Sequence, residues 1–147
     1  MIRLPPDFKE CLRLLGEHQV EYLLIGGYAV GYYGFPRATG DMDIWISSLE
    51  DNAARVSAAL QQFGFSADQV PAALFTLPGN IVRMGVPPLR LEIINVISGV
   101  AFADAYASRL EIVLDGVPVR LISLEHLKAN KAAAGRTKDK LDLEYLP

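Results

Sequence analysis

A chain of 147 residues with 51% hydrophobic and 21% charged side chains can bury a real core but is short for two domains, so one domain over 1–147 is expected. A net charge of -3 excludes bulk electrostatic adhesion to nucleic acid, which needs a surplus of Lys and Arg, and leaves room only for a local basic patch. The single cysteine, Cys11, excludes an intrachain disulfide, and no window approaches the roughly 18 apolar residues of a membrane-spanning helix. The opening MIRLPPDFKE also lacks the apolar run of a signal peptide, so a reducing, cytoplasmic setting without a membrane partner is the expectation.

Asp7 is placed to cap a first helix with the apolar stripe Phe8, Cys11, Leu12, Leu14 and Leu15, ending near Gly16 to His18. Cys11 on that stripe reads as a buried thiol rather than a nucleophile, and His18 at the helix end is given no chemical role. VEYLLIG reads as a buried strand. The Gly26-Gly27 pair then lets the backbone turn into a short helix, YAVGYYG, which Pro36 ends. The loop FPRATG leads to DMDIWIS, a strand with Asp41 and Asp43 on one face. A helix follows from about Leu49 to Gly64, with Glu50 and Asp51 in its first turn and Ala53, Val56, Leu60 and Phe63 inward.

From Phe65 to Pro88 prolines punctuate the chain, which reads as a loop with two short strands at most, the apolar pieces being ALFTL and IVRMG. RLEIINVI is a strand by its β-branched content and GVAFADAYASR a short helix, while LEIVLDGVPVRLI is a hairpin about Asp115-Gly116. Ser123 starts a helical tail over about 123–147, Gly135 breaks it, and KDKLDLEYL adds a last turn or two. This order of elements points to an α+β sheet with helices on one side. The strands do not alternate regularly with helices, which disfavours a doubly wound fold.

The chemistry concentrates in LLIGGYAVGYYGFPRATGDMDIWI. Glycines at 26, 27, 31 and 34 miss the G-x-G-x-x-G spacing of a dinucleotide loop, and no Gly-Lys-Ser/Thr tripeptide exists for a P-loop. The bland alternative is a turn followed by a solvated strand start. Acids are depleted in strands, however, so two on one face call for a partner, whether lysine, water or metal. Side chains two apart on a strand project to the same side about 6.5–7 Å apart, so Asp41 and Asp43 can converge on one divalent cation or straddle two. Glu92, the one acid within RLEIINV, is the natural third carboxylate. Its plainer alternative is a salt bridge to Arg90 or Arg37.

Ile25-Gly26-Gly27, a thirteen-residue spacer and Asp41-Met42-Asp43-Ile44 together resemble the signature of the DNA polymerase beta-like nucleotidyltransferases. With Arg37 and Thr39 leading into the aspartates and a basic tail, KANKAAAGRTKDKLDLEYL, the chain is similar to the small bacterial members found among abortive-infection and toxin-antitoxin proteins. The resemblance implies a mixed sheet flanked by helices, with a core over about 20–122. It implies Gly26 and Gly27 near the phosphates, with Asp41, Asp43 and Glu92 as magnesium ligands and catalytic acids; two ions are possible and manganese is a substitute. It further implies transfer of a nucleoside monophosphate from a nucleoside triphosphate to a hydroxyl of RNA or protein, and an antitoxin partner.

Two departures stand out. Tyr28 occupies a position where many relatives place a phosphate-touching serine, which leaves that contact to backbone amides or Thr39, and the third acid is Glu rather than Asp. Arg37 and Lys131 are candidates to neutralise the triphosphate and Lys128 a weaker one, against the alternative of ordinary solvated cations. Lys128, Lys131, Arg136, Lys138 and Lys140 make the tail the most basic segment, able to guide an acceptor or simply to form a helix's outer face. A rival reading keeps the nucleotidyltransferase shape without turnover, as a binding module acting through a partner protein.

Overall fold

The computed structural model describes residues 2–34, 39–86 and 89–147. Helix α1 (Pro6–Glu17) leads to β1 (Tyr22–Ile25), α2 (Gly26–Tyr33), β2 (Asp41–Ile46) and α3 (Glu50–Phe63). A 3-10 helix (Ala72–Phe75), β3 (Ile81–Val86), β4 (Leu89–Ile94) and α4 (Phe102–Ala107) follow. The chain then forms β5 (Leu110–Leu114), β6 (Val117–Leu121), α5 (Leu124–Ala134) and α6 (Thr137–Tyr145).

The five residues of the expected stripe on α1 are all buried. Its start differs: Pro5 precedes the helix, Pro6 takes its first turn, and no side chain caps it. Proline already lacks the N–H that a cap would satisfy, so Asp7 contributes only its charge, beside the positive end of the helix dipole. The thiol of Cys11 is pushed up to about 12, chiefly by burial, which removes it as a nucleophile.

Every residue of β1 is buried, as a central strand requires. The six strands order as β3-β4-β2-β1-β6-β5. β1 runs antiparallel to β2 and parallel to β6, β2 parallel to β4, and the pairs β3/β4 and β5/β6 are antiparallel. The sheet is therefore mixed, and helices flank it. On β2 the alternation is sharp: Met42, Ile44 and Ile46 are all 0% exposed, so the opposite face, carrying Asp41 and Asp43, is the one open to chemistry. Buried Asn52 fixes the approach of three elements, accepting from the Glu21 N–H at 2.7 Å and donating to the carbonyls of Glu21 (3.1 Å) and Ser47 (2.9 Å).

The proline-rich middle holds one strand rather than two. IVRMG lies within β3, whereas ALFTL forms the 3-10 helix and the turn after it. Side chains replace a ladder there: Ser57 Oγ donates to the Val70 carbonyl at 2.6 Å, and Asn95 Nδ2 donates to the carbonyls of Phe75 (3.1 Å) and Leu77 (2.9 Å). The hairpin turns through Asp115 (φ 48°) and Gly116 (φ 83°), both left-handed as a two-residue turn requires. Ser123 caps α5 by accepting from the His126 N–H at 3.2 Å, and Gly135 ends it in the left-handed conformation. Beyond it, α6 is a helix of nine residues, longer than a turn or two.

Candidate active site

One row of residues crosses four strands. Ile25 of β1 pairs with Asp43 of β2, Asp43 with Glu92 of β4, and Glu92 with Arg83 of β3. Gly26 follows Ile25 directly, with φ +69°, and a Cβ there would lie 2.1 Å from Asp43 Oδ2. No side chain fits that space, and the backbone conformation independently favours glycine. At Gly27 a Cβ would lie 3.0 Å from Thr39 Oγ1, and Thr39 in turn donates to the Asp41 carbonyl at 3.2 Å. The glycine pair and the aspartate strand thus pack directly against each other across the intervening loop.

A cleft of about 600 Å³ opens on this row and is lined by Gly26, Gly27, Thr39, Asp41, Asp43, Glu92 and Lys131. Arg37 lies outside the described residues. Lys128 does not line the cleft; its Nζ donates to the Pro147 carbonyl at 2.5 Å. Tyr28 is 6% exposed and meets the Phe8 ring edge-on at 6.0 Å, so the residue standing at the serine position belongs to the core and offers the cleft no hydroxyl.

The acids are held in unequal states. Burial first, then a hydrogen bond to Glu92 and the charges of Glu92 and Asp41, push Asp43 up to about 7, with Lys138 opposing. Burial also works to raise Glu92, but hydrogen bonds from Arg83 and Asp43 and the charges of Arg83 and Arg90 hold it below the usual carboxylate range. Of the two, Asp43 is therefore the more readily protonated and Glu92 the more readily ionised. Arg83 Nε donates to Glu92 Oε1 at 2.8 Å, while Arg90 Nη2 lies 3.3 Å from Asp41 Oδ2 and 3.7 Å from Glu92 Oε1.

Among the described residues, no three His, Cys, Asp or Glu side chains are close-set enough to hold a metal ion as they stand. A positive charge nevertheless lies close to two of the three carboxylates, the Arg90 guanidinium beside Asp41 and Glu92. All three acids offer the hard oxygen atoms that magnesium takes, so the donor set fits a divalent cation once Asp43 is ionised and Arg90 turns aside.

Lys131 lines the cleft but is 4% exposed, and its ammonium sits 3.3 Å from Asp139 Oδ1 and 3.1 Å from Asp142 Oδ2, both acids being 0% exposed. Arg136 also binds Asp139, with its backbone N–H at 3.1 Å and Nε at 2.7 Å. Lys138, on the first turn of α6, lines the cleft with no ion pair to a described residue, and its charge reaches Asp43. Sequence reasoning named Arg136 and Lys138 only as part of a basic tail and passed over Arg83; composition pointed to the first two, and nothing local pointed to the third.

No protein-family model and no curated protein matches the chain. Among solved structures it is similar to a candidate nucleotidyltransferase from Thermotoga maritima, at 17% identity over 98% of this chain and 93% of that one, with a TM-score of 0.65. It is also similar to the aminoglycoside nucleotidyltransferase ANT(2")-Ia, solved with adenylyl-2"-tobramycin, at 15% identity over 94% of this chain and 84% of that one, with a TM-score of 0.56. At such identities the likeness is one of architecture: the six-stranded mixed sheet with its flanking helices is a nucleotidyltransferase-like fold.

Proposed function

We propose that the protein transfers a nucleoside monophosphate from a nucleoside triphosphate to an acceptor hydroxyl. The observation that carries this reading is the contact of Gly26 with Asp43, which joins a glycine turn at a helix start to a pair of strand carboxylates in one cleft. Gly26 and Gly27 line the cleft at the start of α2, which suits the triphosphate, since backbone amides without a side chain and the positive helix end attract an anion. Asp41, Asp43 and Glu92 would hold magnesium, or manganese in its place, which supplies charge to offset the phosphates. Glu92, kept ionised by Arg83 and Arg90, is the group able to accept the proton of the attacking hydroxyl, and Lys138 faces the cleft as a counter-charge for the phosphates.

The finer parts of the proposal rest on the sequence: an RNA or protein acceptor and an antitoxin partner on the resemblance, and a cytoplasmic setting on the single cysteine. No helix is long and apolar enough to cross a membrane among the described residues. One observation favours the rival reading of a binding module without turnover, namely Arg90 lying between Asp41 and Glu92. Isothermal titration with each nucleoside triphosphate plus magnesium tests the reading. Saturable binding by the wild type, abolished in an Asp41→Ala/Asp43→Ala double variant, is expected; equal binding by both, or by neither, contradicts it.

A further inference from the structure

Resting on that reading, the cleft has a direction. Across the row the order is Gly26 at the β1 end, then Asp43, Glu92 and Arg83. Strands lie about 4.8 Å apart, so Arg83 stands roughly 10 Å along the sheet from Asp43, at the far end from the glycines. In phosphoryl transfer the attacking and leaving oxygens lie on opposite sides of phosphorus. With the β- and γ-phosphates over the glycine turn, the acceptor therefore arrives from the β4/β3 side, over Glu92 and toward Arg83.

The surface at that end is cationic next to Glu92. Arg83 has a 55% exposed side chain and spends only Nε on Glu92, which leaves its two terminal nitrogens to the cleft. Arg90 Nη2 lies 3.7 Å from the same Glu92 oxygen. Ile81 and Val96, 40% and 50% exposed, line this end and offer no carboxylate to an incoming amine. A free guanidinium edge is matched by an oxyanion, above all phosphate, which takes two parallel N–H donors.

We infer that Arg83 is the acceptor-recognition residue and that the acceptor is a phosphate-bearing alcohol, its phosphate on the Arg83 terminal nitrogens and its hydroxyl beside Glu92. In the step, the acceptor oxygen bonds to the α-phosphorus, its proton passes to the Glu92 carboxylate and on to water, and the bond from that phosphorus to the bridging oxygen breaks with its electron pair leaving on pyrophosphate. A polyamine alcohol is a poor acceptor, since it would bring positive charge against two guanidinium groups.

The test offers full-length protein, magnesium and α-labelled nucleoside triphosphates a panel of alcohols: glycerol 3-phosphate, a nucleoside 5′-monophosphate, a short oligonucleotide with a free 3′ hydroxyl, uncharged glycerol and 1,3-diamino-2-propanol. Label on one or more phosphate-bearing members alone is expected, and which of them carries it identifies the source of the phosphate. Arg83→Gln should raise the acceptor KM about tenfold or more, a larger factor than any accompanying fall in kcat, with nucleotide affinity unchanged, while Arg83→Lys, which keeps the charge but not the paired donors, should give a KM between the two. A residue that merely supports Glu92 would lower kcat and leave the acceptor KM unchanged. Label on the neutral or cationic alcohol, no label on any panel member despite nucleotide binding, or an Arg83→Gln acceptor KM equal to wild type each overturns the inference. Failure of the wild type to bind any triphosphate overturns the parent reading instead.

Discussion

Gly26 shows how one position ties backbone strain to chemistry. An alanine there must adopt a φ of +69° and place its Cβ 2.1 Å from Asp43 Oδ2, so the aspartate has to move. Gly26→Ala should cost about 1–3 kcal/mol in chemical denaturation and weaken nucleotide binding. Gly16, whose added Cβ meets nothing within 4 Å, is the control position, and Gly16→Ala should leave binding unchanged. Asp43 carries a second consequence. Its pKa is raised in the folded chain, from 3.8 to about 7, so between those values the native state holds a proton that the unfolded chain has released. Stability of the metal-free protein from this group is therefore full below pH 4 and lost as pH rises through about 7. Asp43→Asn should remove that loss and stabilise the metal-free protein at pH 8 while abolishing transfer. Magnesium uptake by the wild type should release a proton near pH 6.5 and tighten as pH rises, which titration calorimetry in buffers of different ionisation enthalpy measures.

At the scale of elements, α5 and α6 are held together by charges taken out of water. Lys131 between Asp139 and Asp142 makes sense only as a unit, since removing the lysine leaves two buried acids without their shared cation. Lys131→Met should destabilise the fold by about 3–5 kcal/mol, whereas Lys138→Ala should leave the melting temperature nearly unchanged and weaken triphosphate binding. That contrast separates a lysine buried between helices from the one proposed to meet the phosphates. Asp139 is held down at about 2, foremost by its hydrogen bond from Arg136, against 3.8 when free. Its contribution is complete above pH 4 and lost as pH falls toward 2, so acid should loosen α6 early, seen as loss of amide exchange protection there. The sequence made β2, β4 and the hairpin legible because a short apolar run, β-branched content and Asp115-Gly116 are local signals. It failed at ALFTL, where the backbone is satisfied by Asn95, a residue lying some twenty positions further on in the chain.

Over the whole molecule, the site is a consequence of strand order. The glycine pair and the two aspartates could be joined from sequence because the resemblance pairs them at that separation, and Glu92 because it is the lone acid of its strand. The Arg83–Glu92 pairing and the burial of Lys131 are matters of register and of how two helices dock, and no spacing within the chain encodes them. The same order, β3-β4-β2-β1, sets Arg83, Glu92, Asp43 and Gly26 in one row across the sheet, the row on which the proposed transfer is built. The most direct test of that central claim is the product released from a nucleoside triphosphate. With magnesium and an acceptor present, the wild type should release pyrophosphate in step with attachment of the nucleoside monophosphate, and Asp43→Ala should release none; orthophosphate as the product, or equal release by the variant, would contradict the account.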